Sequence, residues 1–143
     1  PSCFLSRKFG ICSVTINYGK YLLAGFYMRN NNNTKALEIV QKLKNSDRQE
    51  EVLEEIYSRI ARDKYDEGLY EEALLYIEKI NGALDINQNY IAYESYINIA
   101  KQLINEKKYD EADLILNEEM KKYTQYRFTP ELYELKEIVE ENK

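Results

Sequence analysis

Two stretches of the chain carry one pattern: KYDEGLYEEALLYIEKI at residues 64–80 and INEKKYDEADLILNEEM at residues 104–120. Residues 70–73 of the first stretch align with residues 109–112 of the second. At the same offset the match continues upstream through apolar residues spaced three to five apart, as on one stripe of an amphipathic helix. Self-similarity at a fixed offset is typical of a repeated structural unit.

Alanine pairs with the spacing A-x11-A extend the pattern to a third, more diverged copy. The pairs are Ala24 with Ala36, Ala61 with Ala73, and Ala100 with Ala112, so the period is 37 and then 39. A small residue on both members of a helix pair lets the two backbones approach closely. We therefore predict that each copy is a hairpin of two antiparallel helices.

Helix start and stop signals agree with this division. Ser46-Asp47-Arg48-Gln49 and Asp85-Ile86-Asn87-Gln88 read as capping boxes, separated by the same offset as the two opening stretches. Gly68 is expected to end the first helix of its copy in the left-handed conformation, and the asparagines at 30–33 occupy the equivalent turn one copy earlier.

A last helix is predicted to follow Thr129, with Pro130 at its first position. Its predicted apolar stripe consists of Leu132, Leu135, Ile138 and Val139. Glutamates cover the other sides of this helix, as a terminal element of a repeat array requires.

The hairpins resemble the tetratricopeptide repeat, which has a small residue late in its first helix and an alanine early in its second. The resemblance covers about residues 15–123 and is carried by Tyr57, Ile60, Ala61, Gly68, Tyr70, Ala73 and Ile77 in one copy and by Tyr96, Ile99, Ala100, Tyr109, Ala112 and Leu116 in the next. The family period is about 34 residues, so the longer period here predicts first helices that begin a turn early. Related solenoids with longer repeats stay open.

The resemblance implies an all-α fold, a right-handed α-solenoid of about three antiparallel helix pairs. The helix pairs span about residues 12–45, 46–84 and 85–123, and a capping helix spans 129–142. We expect residues 1–143 to form a single domain, which can be a fragment of a longer protein because the chain opens at Pro1 without a signal-peptide pattern.

Charge is distributed unevenly along the chain. Residues 1–45 contain seven Lys and Arg and one acidic residue, a net charge of +6, whereas residues 46–143 carry −11, which gives −5 for the whole chain. An acidic chain has little general attraction for nucleic acid, so we predict no nucleic-acid partner. The longest apolar run, residues 21–28, is too short to span a bilayer, so we predict no membrane insertion.

The composition argues against an enzyme. The chain has no histidine, which removes the usual base of nucleophile pairs and the commonest metal ligand. Residues 85–89 mimic the opening of a calcium loop, but Tyr90 and Tyr96 occupy the positions that need Gly and Glu. We therefore predict no catalytic residues, no metal and no cofactor. Cys3 and Cys12 are interpreted as free thiols, which favours a cytoplasmic location.

A binding surface is predicted instead. In a stack of helical hairpins the first helices line the concave wall, and positions off the core stripe face the groove. The partner-binding residues predicted there are Tyr21, Arg29, Arg59, Arg62, Asn98 and Lys101, and Ile97 is placed on the same wall. Arg59 aligns with Asn98 and Arg62 with Lys101, so a row of cationic and amide groups would suit a peptide that carries carboxylates.

These observations predict a non-enzymatic module or scaffold for protein–protein interaction that binds an acidic peptide or protein segment in its concave groove. The alternatives are a regulatory sensor domain that binds a small peptide or ligand, and an accessory domain of a larger enzyme or regulator. A competing interpretation places the contact on the outer helices or on the basic N-terminal part, where Lys35, Lys42 and Lys44 lie.

Overall fold

The computed structural model describes the backbone of residues 9–43, 48–126 and 129–143, and the side-chain burial of residues 16–43, 48–122 and 129–143. Within these ranges the chain is all-helical, without strands. It divides into two compact halves, of which the first ends at Ile60 and the second begins at Ala61. The division falls inside the third helix.

The first half contains helices α1 (Phe9–Arg29) and α2 (Asn33–Gln41), which pack against each other, and the start of α3 (Gln49–Asp66). Gln49, the first residue of α3, contacts the end of α2, because its side-chain amide donates to the carbonyl of Val40 at 2.9 Å. Ala24, Ala36 and Val40 form the buried centre of this hairpin, each fully shielded from solvent.

The second half contains the end of α3 and four further α-helices: α4 (Tyr70–Glu78), α5 (Ile86–Asn105), α6 (Tyr109–Asn117) and α7 (Pro130–Asn142). A 3₁₀ helix, Glu119–Tyr126, leads from α6 towards α7. Helix α5 is the centre of this half, because α4, α6, α7 and the 3₁₀ helix all pack against it. Helix α7 also packs against α6.

The three turns inside the hairpins have one geometry. Their middle residues have positive φ: Asn31 at 57°, Gly68 at 78° and Lys107 at 62°. In each turn the next N–H donates to the carbonyl five residues back, at 2.8 Å every time, in the pairs Asn32–Tyr27, Leu69–Lys64 and Lys108–Leu103. This is the Schellman motif, in which a left-handed residue closes a helix and satisfies its last carbonyls. The turns recur at the same two intervals as the alanine pairs, and those at Gly68 and at the asparagines 30–33 lie where they were predicted.

The six alanines of the predicted pairs are all 0% exposed. Each pair has one alanine near the end of the first helix and one in the first turns of the second helix. The helices that follow the turns, α2, α4 and α6, are each nine residues long. The predicted packing of paired helices is therefore confirmed for α1 with α2 and for α5 with α6, and the burial of Ala61 and Ala73 agrees with the same arrangement for α3 and α4.

Most predicted helix ends are also confirmed. Asp85 accepts from the N–H of Gln88 at 2.7 Å while the Gln88 side chain accepts from the N–H of Asp85 at 2.9 Å, a complete capping box. Pro130 opens α7 as predicted.

Other predictions concern residues that lie outside the described ranges. The capping box predicted to begin at Ser46 is one of them. The others are the thiols of Cys3 and Cys12 and the position of Lys44 in the basic N-terminal part.

Two side-chain placements were wrong. Ile97, predicted to face the groove, is 0% exposed, because α5 is surrounded by several packing partners and buries more than one stripe. Ile138, predicted in the apolar stripe of α7, is exposed. The buried stripe of that helix is Leu132, Leu135 and Val139, which has the spacing of a single helix face.

Replacing Lys107 by glycine is expected to stabilise the protein. Lys107 has φ 62°, a conformation that costs an L-residue about 1–2 kcal/mol and costs glycine little. After the extra chain entropy of glycine is subtracted, we expect the free energy of unfolding to rise by about 0.5–1 kcal/mol in chemical denaturation. Gly68→Ala is the reciprocal variant and is expected to destabilise. A lower stability for Lys107→Gly would contradict the turn geometry.

Enlarging a paired alanine is expected to push two helices apart. Ala73 is fully buried, so Ala73→Leu should overpack the helix contact and lower the free energy of unfolding by roughly 1–3 kcal/mol. Thermal denaturation followed by circular dichroism measures this change. Ala83, which is exposed, provides the control, since Ala83→Leu creates no such clash. Equal melting temperatures for wild type and Ala73→Leu would contradict the helix pairing.

Candidate partner-binding residues

The predicted partner-binding residues all lie on the first helices of the hairpins. Tyr21 and Arg29 lie on α1, Arg59 and Arg62 on α3, and Asn98 and Lys101 on α5. A spacing of three places Arg59 with Arg62, and Asn98 with Lys101, on one side of their respective helices. The local surroundings of the three helices differ.

On α3, the two arginines have different environments. Arg59 is exposed and forms an ion pair with Glu55 one turn earlier, with 3.3 Å between Nη2 and Oε1. An exposed pair of this kind contributes only a few tenths of a kcal/mol, so a partner's carboxylate can replace Glu55 at little cost. Arg62 is half-buried and forms no ion pair among the described residues.

On α1, Tyr21 is half-buried and its ring lies beneath the guanidinium group of Arg48, with 6.0 Å from Cζ to the ring centroid. This cation–π contact connects α1 to the residue that precedes α3. Arg29 is exposed and is the last residue of α1. Its positive charge interacts favourably with the negative end of the helix dipole.

On α5, the predicted residues are already engaged within the second half of the chain. The Asn98 side-chain amide donates to the carbonyl of Glu94 at 2.7 Å. The Lys101 ammonium group pairs with Glu131 in the first turn of α7, and the Tyr93 hydroxyl hydrogen-bonds to Thr129 just before that helix. Helix α7 therefore contributes an acidic group to a surface that was predicted to be cationic.

Glu94 lies in the same cluster and is half-buried. Burial, followed by the nearby charge of Glu131, raises the pKa of its carboxyl group, and Lys101 partly opposes this shift. Lys101 therefore lies near two carboxylates, of which Glu131 forms the ion pair, so less of its positive charge is available to an acidic peptide.

A tyrosine cluster, which was not predicted from the sequence, joins α3, α4 and α5. The ring of Tyr65 makes edge contacts with Tyr70 at 5.8 Å and with Tyr90 at 6.2 Å between centroids. Burial, followed by a hydrogen bond with Tyr90, raises the pKa of Tyr65 to about 12. The sequence signal was the high tyrosine content, but the spacing of these three residues does not show that they meet.

The concavities among the described residues include a cavity and a groove. A cavity of about 390 Å³ opens at the connection from α4 to α5, where Ile77, Ile80 and Leu84 line it with Asn89. The Asn89 amide donates to the carbonyls of Leu84 and Asp85, which fixes this loop. A groove of about 170 Å³ lies between α1 and α2.

The described ranges contain neither a candidate metal site nor a candidate membrane-spanning helix. No group of three or more acidic or cysteine side chains there is arranged to hold a metal ion. None of the helices described is long and apolar enough to cross a membrane.

Comparisons of the chain with protein-family models, with curated proteins and with solved structures give no match. The resemblance to the tetratricopeptide repeat therefore rests on the residues quoted above.

Neutralising Glu94 is expected to stabilise the protein at neutral pH. Because the folded pKa of Glu94 is raised, protonated Glu94 favours the fold below the usual value of 4.5, and this contribution is lost as pH rises through the folded pKa. Glu94→Gln keeps the site neutral, so we expect a higher free energy of unfolding than wild type at pH 7 and nearly equal values in acid.

Chemical denaturation across this pH range tests the expectation. Glu137, which is exposed on α7, supplies the control. The free energy of unfolding of Glu137→Gln should stay within about 0.5 kcal/mol of the wild-type value at each pH. A stability difference between Glu94→Gln and wild type that does not change with pH would contradict the role of the Glu94 charge.

Proposed function

We propose that the chain is a non-enzymatic helical-repeat module of the tetratricopeptide type, a right-handed α-solenoid that binds an acidic peptide or protein segment. The observation that carries this proposal is the threefold recurrence of one hydrogen-bonded turn at the intervals of the alanine pairs. A repeated hairpin presents equivalent side chains at regular spacing, which suits recognition of an extended segment.

The cationic residues of α3 are the centre of the proposed contact. Arg59 exchanges a weak intramolecular ion pair for the partner's carboxylate, and Arg62 has no intramolecular ion pair among the described residues to break. Both guanidinium groups can hold a carboxylate by two parallel hydrogen bonds. Asn98 and Lys101 are secondary, because the first is bonded to the α5 backbone and the second to Glu131.

Removing both arginines of α3 is expected to abolish capture of the partner that binds α3. Loss of one charged member of a desolvated pair costs about 2–5 kcal/mol, so Arg59→Ala with Arg62→Ala should weaken binding by at least about 30-fold. Helicity and melting temperature should not change. Capture from an extract, followed by titration of the recovered partner at increasing salt, measures the loss and its electrostatic origin.

The matched control removes two other exposed cations. Lys121 and Lys122 each pair with a glutamate three residues away, and their double alanine variant should bind normally. If charge reversal of Lys35 and Lys42 eliminates capture while the α3 variant does not, the contact lies on the first hairpin and the proposal for α3 is wrong.

A further inference from the structure

Helix α1 exposes a large apolar face. Ile16, Leu22, Leu23 and Phe26 are 48%, 57%, 45% and 52% exposed. A rotation of about 100° per residue places Ile16, Gly19, Leu23 and Phe26 within an arc of about 80°, away from the side on which Ala24 packs. These four residues and Leu22 are called the α1 face below.

The equivalent positions on the other first helices are buried. Leu23 corresponds to Ile60 on α3 and to Ile99 on α5, which are 7% and 9% exposed. Gly19 corresponds to Ile56 and to Ser95, both fully buried. The α1 face therefore has the character of a packing surface, although no described helix covers it.

On α5 the equivalent residues are buried in the second half of the chain. Ser95 and Ile99 lie about 140° and 100° around the helix from Ala100, which is the alanine of α5 that forms a pair with an alanine of α6. Helix α4, the second helix of the preceding hairpin, also packs against α5. It is an amphipathic helix with an acidic first turn, containing Glu71 and Glu72.

The surroundings of the α1 face select for an acidic partner. The groove of about 170 Å³ between α1 and α2 has Leu23 and Ile39 in its lining, together with Lys20, Lys35, Lys42 and Glu38. Glu38 pairs with Lys35 at 3.4 Å, whereas Lys20 and Lys42 form no ion pair among the described residues. An apolar floor with surplus positive charge favours an apolar segment flanked by carboxylates.

We propose that the α1 face and its lysine-lined groove bind an amphipathic acidic helix of a partner protein. At Gly19 no atom lies within 4 Å of the position that a Cβ would take, which leaves a notch in the face. Apolar side chains spaced three and four residues apart contact Leu23 and this notch, and flanking carboxylates pair with Lys20 and Lys42. The buried equivalents on α5 favour a helix over a membrane surface. The positive charge of the lysines disfavours a second copy of the same face, since like charges would meet.

The test uses the full chain and fluorescence anisotropy with a labelled synthetic helix. The probe is a peptide of about 18 residues, or five turns, with leucines three and four residues apart and glutamates between them. A matched peptide has lysines in place of the glutamates. Saturable binding of the glutamate peptide that weakens with salt, and no binding of the lysine peptide, is the expected result.

Two pairs of variants locate the contact. Leu23→Gln should weaken the binding of the glutamate peptide by at least about tenfold. Leu75→Gln removes a leucine that is 58% exposed on α4 and should have no effect. Lys20→Glu with Lys42→Glu should reverse the preference towards the lysine peptide. Unchanged melting temperatures ensure that each variant is folded, and Arg59→Ala with Arg62→Ala should leave this binding intact.

Several results would overturn the proposal. They are absence of saturable binding by wild type, equal affinity for the two peptides, and equal weakening by Leu23→Gln and Leu75→Gln. Sedimentation with anionic vesicles that depends on Leu23, in the absence of peptide binding, would assign the α1 face to a membrane surface. A concentration-dependent dimer in sedimentation velocity that Leu23→Gln dissociates would assign it to a second copy.

Discussion

Close approach of two helix backbones at each alanine pair is the contact on which the rest of the structure depends. All six alanines are fully buried, and a small residue on both helices of a pair lets the two backbones approach closely. Because the paired alanines always have the same separation along the chain, the segment between them must reverse direction in one fixed way. The three turns accordingly share their hydrogen bonds and their left-handed middle residue.

This constraint explains why different residues occupy the left-handed position. Glycine adopts positive φ without strain, asparagine tolerates it, and lysine does so at a cost. Gly68, Asn31 and Lys107 nevertheless share the same geometry, with φ between 57° and 78°. Such strain persists where the surrounding packing determines the backbone, and the fully buried alanines on both sides of each turn provide that packing.

The parts of the fold that depend on local chemistry were predictable from the sequence. The turn at Gly68, the capping box at Asp85 and the proline that opens α7 are each encoded within a few residues. The alanine pairs were predictable because a repeated spacing exposes a constraint that a single copy would not show.

The placement of side chains on α5 was not predictable in the same way. A helix with one neighbour has one apolar stripe, but α5 has packing partners on several sides, so Ile97 is buried although it lies off the predicted stripe. The charge of the candidate site depends on a contact distant in sequence, since Glu131 reaches Lys101 only when α7 packs.

Gly19, on the exposed face of α1, has an equivalent position in each of the other two hairpins. This position is occupied by Ser95 on α5, where the buried hydroxyl makes no hydrogen bond among the described residues, and by Ile56 on α3. The position is therefore fully buried whether it holds a small serine or a large isoleucine. Gly19 occupies the position on α1, and no atom lies within 4 Å of the site that a Cβ would take. The exposed side of α1 therefore has a notch in the backbone between apolar side chains, the shape that receives a side chain from a second helix.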